Sequence, residues 1–592
     1  MKRKTEQLLL PVEKKINSEN NYDIFPSYEL SPGKINVGFE KLAKELVKHE
    51  KIIMDGYGGV FWQEIKDNLD QIFKAKGISV SWHNIADALL PEKEIAELVA
   101  PFLGGDDPIF GSKFTGEIND FFDKKKLNSL SEDNKVDLNI VYGTGAKLVD
   151  WTGYLVYIDI PKNEIQYRAR AEEIYNLGLS SPAKPHKMYK QFYFVDWVVL
   201  NLHKKAMLTE LDLIIDGQRT DQLTFMFGDE FRTSLTEISK NYFRVRPWFE
   251  PGSWGGQWMK KRFSTLPQNV SNYAWSFELI VPENGIIFES NKKLLEVSFD
   301  FLMYNNSEAV LGEQGAERFG NEFPIRIDYL DTVAGGNLSI QCHPKTDYIK
   351  KHFGENFTQD ETYYIIDSES NSGVYLGFQE NIDPEEFRKV LENSRDSLEN
   401  DQVEDIPVEI EKYVQKITAE KHDLFLIPNG TIHGSGSGNL VLEISSTPYI
   451  FTFKLYDWLR KSPGKPRPIN IERGFENLCF DRKGEKVKAE LVSKPDVIEK
   501  NAEYKILHLP THQQHFYDVY RLEFKNEIKT TTDGSCNVMV VVEGESIILE
   551  TKSGKRARFN YGETFVIPAA AEQYKLINES NKIVKVLKVF LK

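Results

Sequence analysis

The segment Ser-Ile-Gln-Cys-His-Pro at residues 339–344 alternates polar and apolar side chains, which is the pattern of a short β-strand. Successive side chains of a strand point to opposite faces, so Gln341 and His343 share one face and Cys342 lies on the other. A fold that contains this strand can therefore direct two metal-ligating groups into a single pocket.

Two later residues can complete a ligand set around this strand. Glu361 precedes Thr-Tyr-Tyr and an apolar run, and His433 follows a Pro-Asn-Gly turn. With Gln341 and His343 they form a nitrogen and oxygen set that suits zinc or a similar divalent ion and leaves positions open for water or substrate. A single strand histidine is more often a core or surface residue than a ligand, so the prediction depends on the four groups occurring together.

The order of these motifs resembles the class I mannose-6-phosphate isomerases, which are zinc enzymes with a cupin core. The resemblance covers about the last three fifths of the chain. The segments that carry it are Phe323-Pro324, Leu338 to Pro344, Glu361 to Tyr364, Pro428 to His433 and Phe453 to Trp458.

This resemblance implies a metal-dependent aldose-ketose isomerase that converts mannose 6-phosphate, or a closely related sugar or sugar phosphate, to its ketose through an enediol. It places the metal on Gln341, His343, Glu361 and His433. Lys454 stands where the family has an arginine that stabilises the enediolate, and it keeps the charge without the forked geometry.

Three further positions bear on the substrate. The resemblance places Glu443 in the active pocket, where it assists proton transfer, although a structural salt link is an equal alternative. Two family lysines are replaced, by Gln359 and by Asp328. Because phosphate groups are normally bound by lysine or arginine, a non-catalytic, metal-binding sugar or sugar-phosphate sensor is the alternative function.

Length and charge limit the other classes of function. The chain has 592 residues, which predicts two to four domains, and a net charge of −15, which argues against a nucleic-acid partner. The apolar run near the N-terminus is too short for a signal peptide or a membrane span. We therefore expect a cytoplasmic protein without a membrane partner. Three scattered cysteines do not form a disulfide framework or a cysteine metal site. The oligomeric state is not predicted.

The N-terminal region has the pattern of an α/β domain. Residues 51–62 predict a buried strand, a glycine turn and a helix start, and residues 136–142 and 154–160 predict two further strands, the last followed by a helix at 164–170. This layout resembles a degenerate P-loop kinase, but the lysine and hydroxyl of a P-loop are missing. We therefore expect a structural or ligand-sensing domain, with Arg168 and Arg170 on a solvated helix face. A bifunctional kinase-isomerase is the less favoured alternative.

The predicted fold class is multidomain, with an α/β N-terminal domain followed by an all-β double jelly-roll (cupin) unit that carries a small helical insertion. The second jelly roll is predicted from glycine turns and a Gly-Glu-x-x-x-Ile-Pro segment, and it lacks metal ligands. The insertion is expected to contain one helix from residue 383 and a second at 407–417. The predicted limits are 1–34 for a tail, 35–240 for the α/β domain, 241–490 for the metal-binding jelly roll with the insertion at about 380–420, and 491–592 for the C-terminal jelly roll.

Overall fold

A mainly parallel sheet organises the first of two units in the computed structural model, which describes residues 2–14, 21–400, 402–461 and 466–592. The first unit comprises residues 2–14, Phe25–Arg246 and Val281–Ser307. The second comprises residues 21–24, Pro247–Ile280 and the described part of Glu308–Lys592. The predicted change of domain after residue 240 lies close to Arg246, but residues 281–307, which were predicted in the metal-binding jelly roll, belong to the first unit.

Seven strands form the main sheet of the first unit. Five neighbouring strands are parallel and two further strands continue the sheet antiparallel. In spatial order they are Val80–Asn84, Leu138–Tyr142, Lys51–Gly56, Tyr154–Asp159, Leu213–Asp216, Thr224–Phe227 and Asn36–Val37. The apolar side chains of the central strands are buried on both faces, as expected for parallel strands covered by helices, whereas the edge strands are only half-buried.

Helices connect and cover these strands. The α-helices of the first unit are Phe39–Leu46, Trp62–Ala75, Glu92–Val99, Lys124–Ser129, Lys162–Arg170, Pro185–Gln191, Trp197–Met207 and Gly228–Ile238. A π-helical turn, Phe192–Asp196, joins two of them. Short 3-10 turns are Ile85–Ala88, Ala100–Phe102, Ile118–Phe121 and Ala146–Leu148. A separate small sheet contains Ser27–Glu29, Gly285–Ser290 and Lys293–Ser298, which explains why the last two strands belong to this unit.

The predicted strands and helix of this region are confirmed, but the placement of Arg168 on a solvated helix face was wrong. Only 1% of Arg168 is exposed. Its guanidinium donates to the backbone carbonyl oxygens of Gly59 at 2.8 Å, Gly217 at 3.1 Å and Gln218 at 3.0 Å. A polar helix thus lies inside the unit because its charged side chain satisfies buried carbonyl groups.

Two antiparallel sheets form the part of the second unit that carries the predicted ligands. The six-stranded sheet has the order Leu424–Ile427, Glu361–Ser368, Asn439–Ser446, Ile325–Asp331, Trp275–Leu279 and Trp248–Glu250. The five-stranded sheet has the order Val414–Thr418, Gly373–Phe378, His433–Ser435, Ile340–Cys342 and Phe453–Tyr456. Buried residues from both sheets, including Leu330, Val374, Phe425 and Val441, pack in one apolar core.

The insertion between the ligand strands contains one of its two predicted helices. The helix Pro384–Glu399 begins as predicted, because the Asp383 side chain accepts hydrogen bonds from the backbone amides of residues 385 and 386. The second predicted helix, at 407–417, was wrong. A single 3-10 turn, Ile410–Lys412, is followed there by the strand Val414–Thr418, which pairs with Gly373–Phe378. Other helices of this unit are Asp300–Leu311, which begins in the first unit and contains a kink, Trp258–Arg262, Glu313–Phe319, Thr346–Phe353, Ile471–Asn477 and Glu485–Glu490.

The last hundred residues form two more antiparallel sheets. One has the order Asp496–Lys500, Tyr504–Leu509, Tyr517–Phe524, Val584–Leu591, Asn537–Glu543 and Thr564–Ile567. The other has the order Glu527–Thr531, Gln573–Ile577, Ser546–Thr551 and Arg556–Asn560. Among the helices of the described residues, none combines the length and apolar character needed to cross a bilayer.

Candidate metal centre

The structure brings together three of the four predicted metal-ligating residues. One ligand atom from each of His343, Glu361 and His433 lies within 4.8 Å of the others, and all three side chains are buried. His343 Nε2 is 3.0 Å from Glu361 Oε1, and His433 Nε2 is 3.2 Å from Glu361 Oε2. Glu361 comes from the six-stranded sheet and His433 from the five-stranded sheet, so the group joins the two sheets.

Strand register places Gln341 beside this group. Gln341 is the direct cross-strand partner of His433, and cross-strand partners share a face of a sheet. Its Nε2 lies 3.3 Å from His433 Nε2, while its Oε1 accepts a hydrogen bond from Ser339. A ligand role needs the opposite amide orientation, which a rotation of the terminal amide provides. Cys342 is buried on the other face, with its Sγ near the backbone carbonyl of Gly474, as the alternation predicted.

The outer nitrogen of each histidine faces a backbone carbonyl oxygen. His343 Nδ1 lies 3.1 Å from the Phe451 oxygen, and His433 Nδ1 lies 2.9 Å from the Thr431 oxygen. When Nδ1 donates its hydrogen to the carbonyl oxygen, Nε2 of the neutral ring carries a lone pair. Metal-ligating histidines have this arrangement.

A cation at this position resolves an otherwise unfavourable contact. In the neutral rings, two nitrogen lone pairs face carboxylate oxygens at hydrogen-bond distance. Among the described residues, His343 Nε2 and Glu361 Oε2 have no hydrogen-bond partner. Charging both rings instead would bury two cations against one carboxylate. The donor set of two imidazoles, a carboxylate and an amide therefore fits a divalent metal ion.

The strand ends that carry the ligands are held by further polar contacts. Asp360 accepts hydrogen bonds from the backbone amide of Asn429 at 2.7 Å and from its side chain at 2.9 Å, which ties the Pro-Asn-Gly turn to the start of the Glu361 strand. Gln359, at the position of a family lysine, donates its side-chain amide to Glu361 Oε1. An uncharged donor thus orients the carboxylate here.

The other predicted site residue of the six-stranded sheet, Glu443, lies in a buried charge cluster. Arg326 Nη2 is 3.0 Å from Glu443 Oε1 and 3.1 Å from a carboxylate oxygen of Asp328. Burial raises the pKa of Glu443 well above its usual range, Arg326 opposes this shift, and the carboxylates of Asp328 and Glu361 add to it. Glu443 thus has the salt link that was the alternative interpretation, and it also lies near the metal ligands.

Two residues of this pocket were not identified from the sequence. Arg326 is buried, and its Nε and Nη1 have no hydrogen-bond partner in the described part of the chain. Tyr363 lies two residues after Glu361 in the same strand, and its buried hydroxyl likewise has no partner among the described residues. The alternation Ile-Arg-Ile-Asp at residues 325–328 was the available signal for Arg326, because it places a cation and an anion on one face of an apolar strand.

Lys454 lies in the five-stranded sheet, on the strand next to that of Gln341. It is the cross-strand partner of Gln341 and therefore shares its face. Burial lowers the pKa of Lys454 to about 8, and the neighbouring Arg467 adds to this effect. Arg467 and Arg460 both pair with Asp457, at 2.7 and 3.1 Å, so three cations and one carboxylate lie at the end of this strand.

Comparison with known proteins gives separate matches for different parts of the chain. Residues 38–240 match the family model described as "Domain of unknown function (DUF8485)". The chain is 24% identical to the protein named "Probable mannose-6-phosphate isomerase GmuF" of Bacillus subtilis over 327 residues, which cover 55% of this chain and 92% of that protein. It is 26% identical to the mannose-6-phosphate isomerase of Streptococcus mutans over 235 residues, which cover 39% of this chain and 65% of that protein.

Solved structures of similar name align with about three fifths of the chain. The mannose 6-phosphate isomerase of Bacillus subtilis aligns with a TM-score of 0.46 and 20% identity, over 59% of this chain and 99% of that one. A phosphomannose isomerase variant from Salmonella typhimurium aligns with a TM-score of 0.45 and 15% identity, over 60% of this chain and all of that one.

Proposed function

We propose that the protein is a metal-dependent aldose-ketose isomerase that interconverts mannose 6-phosphate and fructose 6-phosphate, or a closely related pair of sugar phosphates. The observation that carries this proposal is the buried group of His343, Glu361 and His433, whose inward nitrogens face carboxylate oxygens and fit a divalent ion. The relatives named mannose-6-phosphate isomerase support the same activity.

In this proposal Gln341, His343, Glu361 and His433 hold the metal, which is zinc or another divalent ion, within the first of two cupin jelly rolls. A bound divalent ion with an open coordination position polarises the sugar oxygens and stabilises negative charge that develops on them. The side chains of the chain itself must then bind the sugar, exclude water and move a proton between two carbon atoms.

Glu443 is the proposed proton-transfer group. Isomerisation requires a base that removes a proton from the carbon next to the carbonyl and returns it to the neighbouring carbon. Glu443 is buried near the metal ligands, and Arg326 and Ser445 hold its Oε1 at 3.0 and 2.9 Å. These two contacts orient the carboxyl group, which also lies within hydrogen-bond reach of Glu361 and therefore beside the metal ligands.

The pocket also supplies cations for an anionic substrate. Arg326 has two guanidinium nitrogens without partners among the described residues, and Lys454 lies on the face that carries Gln341. We assign Lys454 to the stabilisation of the enediolate charge. Arg460 and Arg467, whose positive charge exceeds the negative charge of Asp457, offer a binding region for phosphate, where the family lysines are absent.

For the N-terminal unit we propose a kinase-like domain without phosphoryl-transfer activity. The support is a parallel sheet whose central strand, Lys51–Gly56, leads through a glycine turn into the helix Trp62–Ala75, without the P-loop lysine.

The test combines metal content with turnover. Full-length protein loaded with zinc is expected to bind one equivalent per chain and to convert mannose 6-phosphate to fructose 6-phosphate in a coupled assay. His433→Ala should lose both the stoichiometric zinc and the activity. Cys342→Ala is the matched control, since it changes the opposite face of the same ligand strand and should retain zinc.

Each outcome separates two functions. Zinc binding without turnover of mannose 6-phosphate or of unphosphorylated mannose would contradict the isomerase proposal and favour the metal-binding sensor. Turnover that persists in His433→Ala without bound metal would exclude the proposed centre.

A further inference from the structure

A cavity of about 430 Å³ opens in the first unit at the carboxyl ends of three parallel strands. Its walls are formed by the turns that follow Lys51–Gly56, Val80–Asn84 and Leu138–Tyr142, by residues 173–179 and by side chains of the segment 192–200. Ligands of open parallel sheets bind at this edge, and the volume lies within the usual range for small-molecule sites. The cavity is separate from the metal centre and has no role in the proposed isomerase reaction.

The lining excludes a phosphate group by its charge. The described residues that line the cavity include the carboxylates of Glu64, Glu173 and Asp196, and none of them is lysine or arginine. Lys2, which is half exposed and is not a lining residue, pairs with the lining carboxylate of Glu64. A phosphorylated ligand would therefore meet carboxylates, and no lysine or arginine among the described residues of the cavity wall.

The glycine turn that would cradle a phosphate is occupied by the chain itself. The Trp62 indole lies so close to Gly56 that a Cβ added there would be 3.0 Å from the ring. Arg168 binds the Gly59 carbonyl at 2.8 Å and is buried beneath the turn. The turn thus serves packing in this unit, and its arginine faces backbone rather than ligand.

The remaining walls suit a flat ring with hydrogen-bonding edges. Six aromatic side chains line the cavity, and they are Phe61, Trp62, Tyr142, Tyr175, Phe192 and Trp197. Such rings bind planar ligands by stacking.

Asp196 supplies a hydrogen-bond acceptor in the same wall. It ends the π-helical turn Phe192–Asp196, a feature often found at functional sites. Its Oδ2 accepts from Asn176 Nδ2 at 2.8 Å and from the Leu177 amide at 3.1 Å, whereas its Oδ1 has only a long contact of 3.4 Å with Gln191. Oδ1 therefore retains capacity for a donor from a ligand.

We propose that this cavity binds an unphosphorylated nitrogen heterocycle, as a free nucleobase or as its nucleoside, which stacks on the aromatic walls and donates an N–H group to Asp196. The aromatic walls supply affinity for the ring, the carboxylate selects bases with an amino or imino donor, and the absent cations reject nucleotides.

Calorimetric titration of the full-length protein tests this proposal. The probes are adenosine, guanosine, cytidine and uridine, then the four free bases, the four 5′-monophosphates and inorganic phosphate. At least one nucleoside or base is expected to bind, and its 5′-monophosphate should bind at least about tenfold more weakly. Equal affinity of base and nucleoside would identify the ring as the ligand, and tighter binding of the nucleoside would add contacts to the ribose.

Three variants locate the binding site. At pH 8, above the raised pKa of Asp196, Asp196→Asn loses the charged acceptor and should weaken binding at least about tenfold. Tyr175→Ala removes a ring of the cavity wall and should weaken binding severalfold. Because Tyr175 is half exposed, this substitution should leave the fold intact. Leu202→Ala is the matched control, because Leu202 is exposed and lies outside the cavity, and it should bind as the wild type does.

Several results would overturn the proposal. Absence of binding by every base and nucleoside at millimolar concentration would do so, as would a monophosphate that binds as tightly as its nucleoside. Unchanged affinity in both Asp196→Asn and Tyr175→Ala would place any observed binding elsewhere. If Asp196→Asn does not fold, Tyr175→Ala alone decides the location.

Discussion

The buried carboxyl of Asp196 should make the first unit lose stability as the pH rises from 4 to 7. Only 2% of Asp196 is exposed, and burial raises its pKa to about 7 although three hydrogen-bond donors lower it. In the unfolded chain an aspartate has a pKa of about 3.9. The folded state therefore binds more protons than the unfolded state between these two values.

The sign and size of the effect follow from this difference. Where the folded state binds the extra proton, the free energy of unfolding falls with increasing pH. The stabilisation is fully present below about pH 4 and is lost as the pH rises through about 7. A pKa difference of about 3 corresponds to roughly 4 kcal/mol in total, of which about 3 kcal/mol falls between pH 4.5 and 7.5.

Urea unfolding of wild-type protein and Asp196→Asn across this pH range measures the effect. Contributions of the other titrating groups cancel in the difference between the two proteins. The asparagine variant should gain about 3 kcal/mol relative to wild type from pH 4.5 to 7.5. Asp221→Asn, an exposed site in the same unit, is the control and should show a flat difference. A flat difference for Asp196→Asn as well would refute the argument from burial.

Three further substitutions should reduce stability for separate reasons. Arg326→Met leaves two buried carboxylates unpaired and should cost about 3–5 kcal/mol in chemical unfolding, part of which Glu443→Gln should restore in the double variant. Arg168→Leu removes three hydrogen bonds to buried carbonyl groups and should cost about 3 kcal/mol or more, whereas Arg170→Leu should cost much less. Gly143→Ala should lower the melting temperature of the first unit, since Gly143 has φ +120° and a Cβ there would lie 2.6 Å from a neighbouring side-chain carbon. A melting temperature equal to that of wild type would contradict this account of Gly143.

The ligand arrangement was predictable from sequence because strand geometry fixes it. Alternation alone places Gln341 and His343 on one face, and cross-strand register then brings His433 opposite Gln341. The prediction of Glu361 as a ligand depended on the order of the family motifs, because Glu361 lies in the other sheet and no local periodicity connects it to His343. The sequence could therefore indicate which side chains come together as candidate metal ligands, but not the amide orientation of Gln341.

Residues whose role depends on non-local packing were missed or misassigned. The apolar residues near Val414 have helical spacing, yet pairing with Gly373–Phe378 makes the segment a strand. Local propensity favoured one state, and an available sheet edge favoured the other. Arg326 could not be assigned from the sequence, because its pairing with Glu443 depends on the register of two strands far apart in sequence.

The first unit shows why a motif has to be interpreted together with the residues that occupy its space. A glycine turn such as that at residues 56–59 can hold a phosphate with its backbone amides, and the strand, turn and helix around it are present. The indole of Trp62 and the guanidinium of Arg168 nevertheless use the same turn for packing. A phosphate cradle also requires a cation, and none of the described residues that line the cavity is a lysine or arginine, although the backbone path is kept. The space that remains beside the turn is bounded by aromatic rings and Asp196, so its preferred ligand should carry donors rather than negative charge.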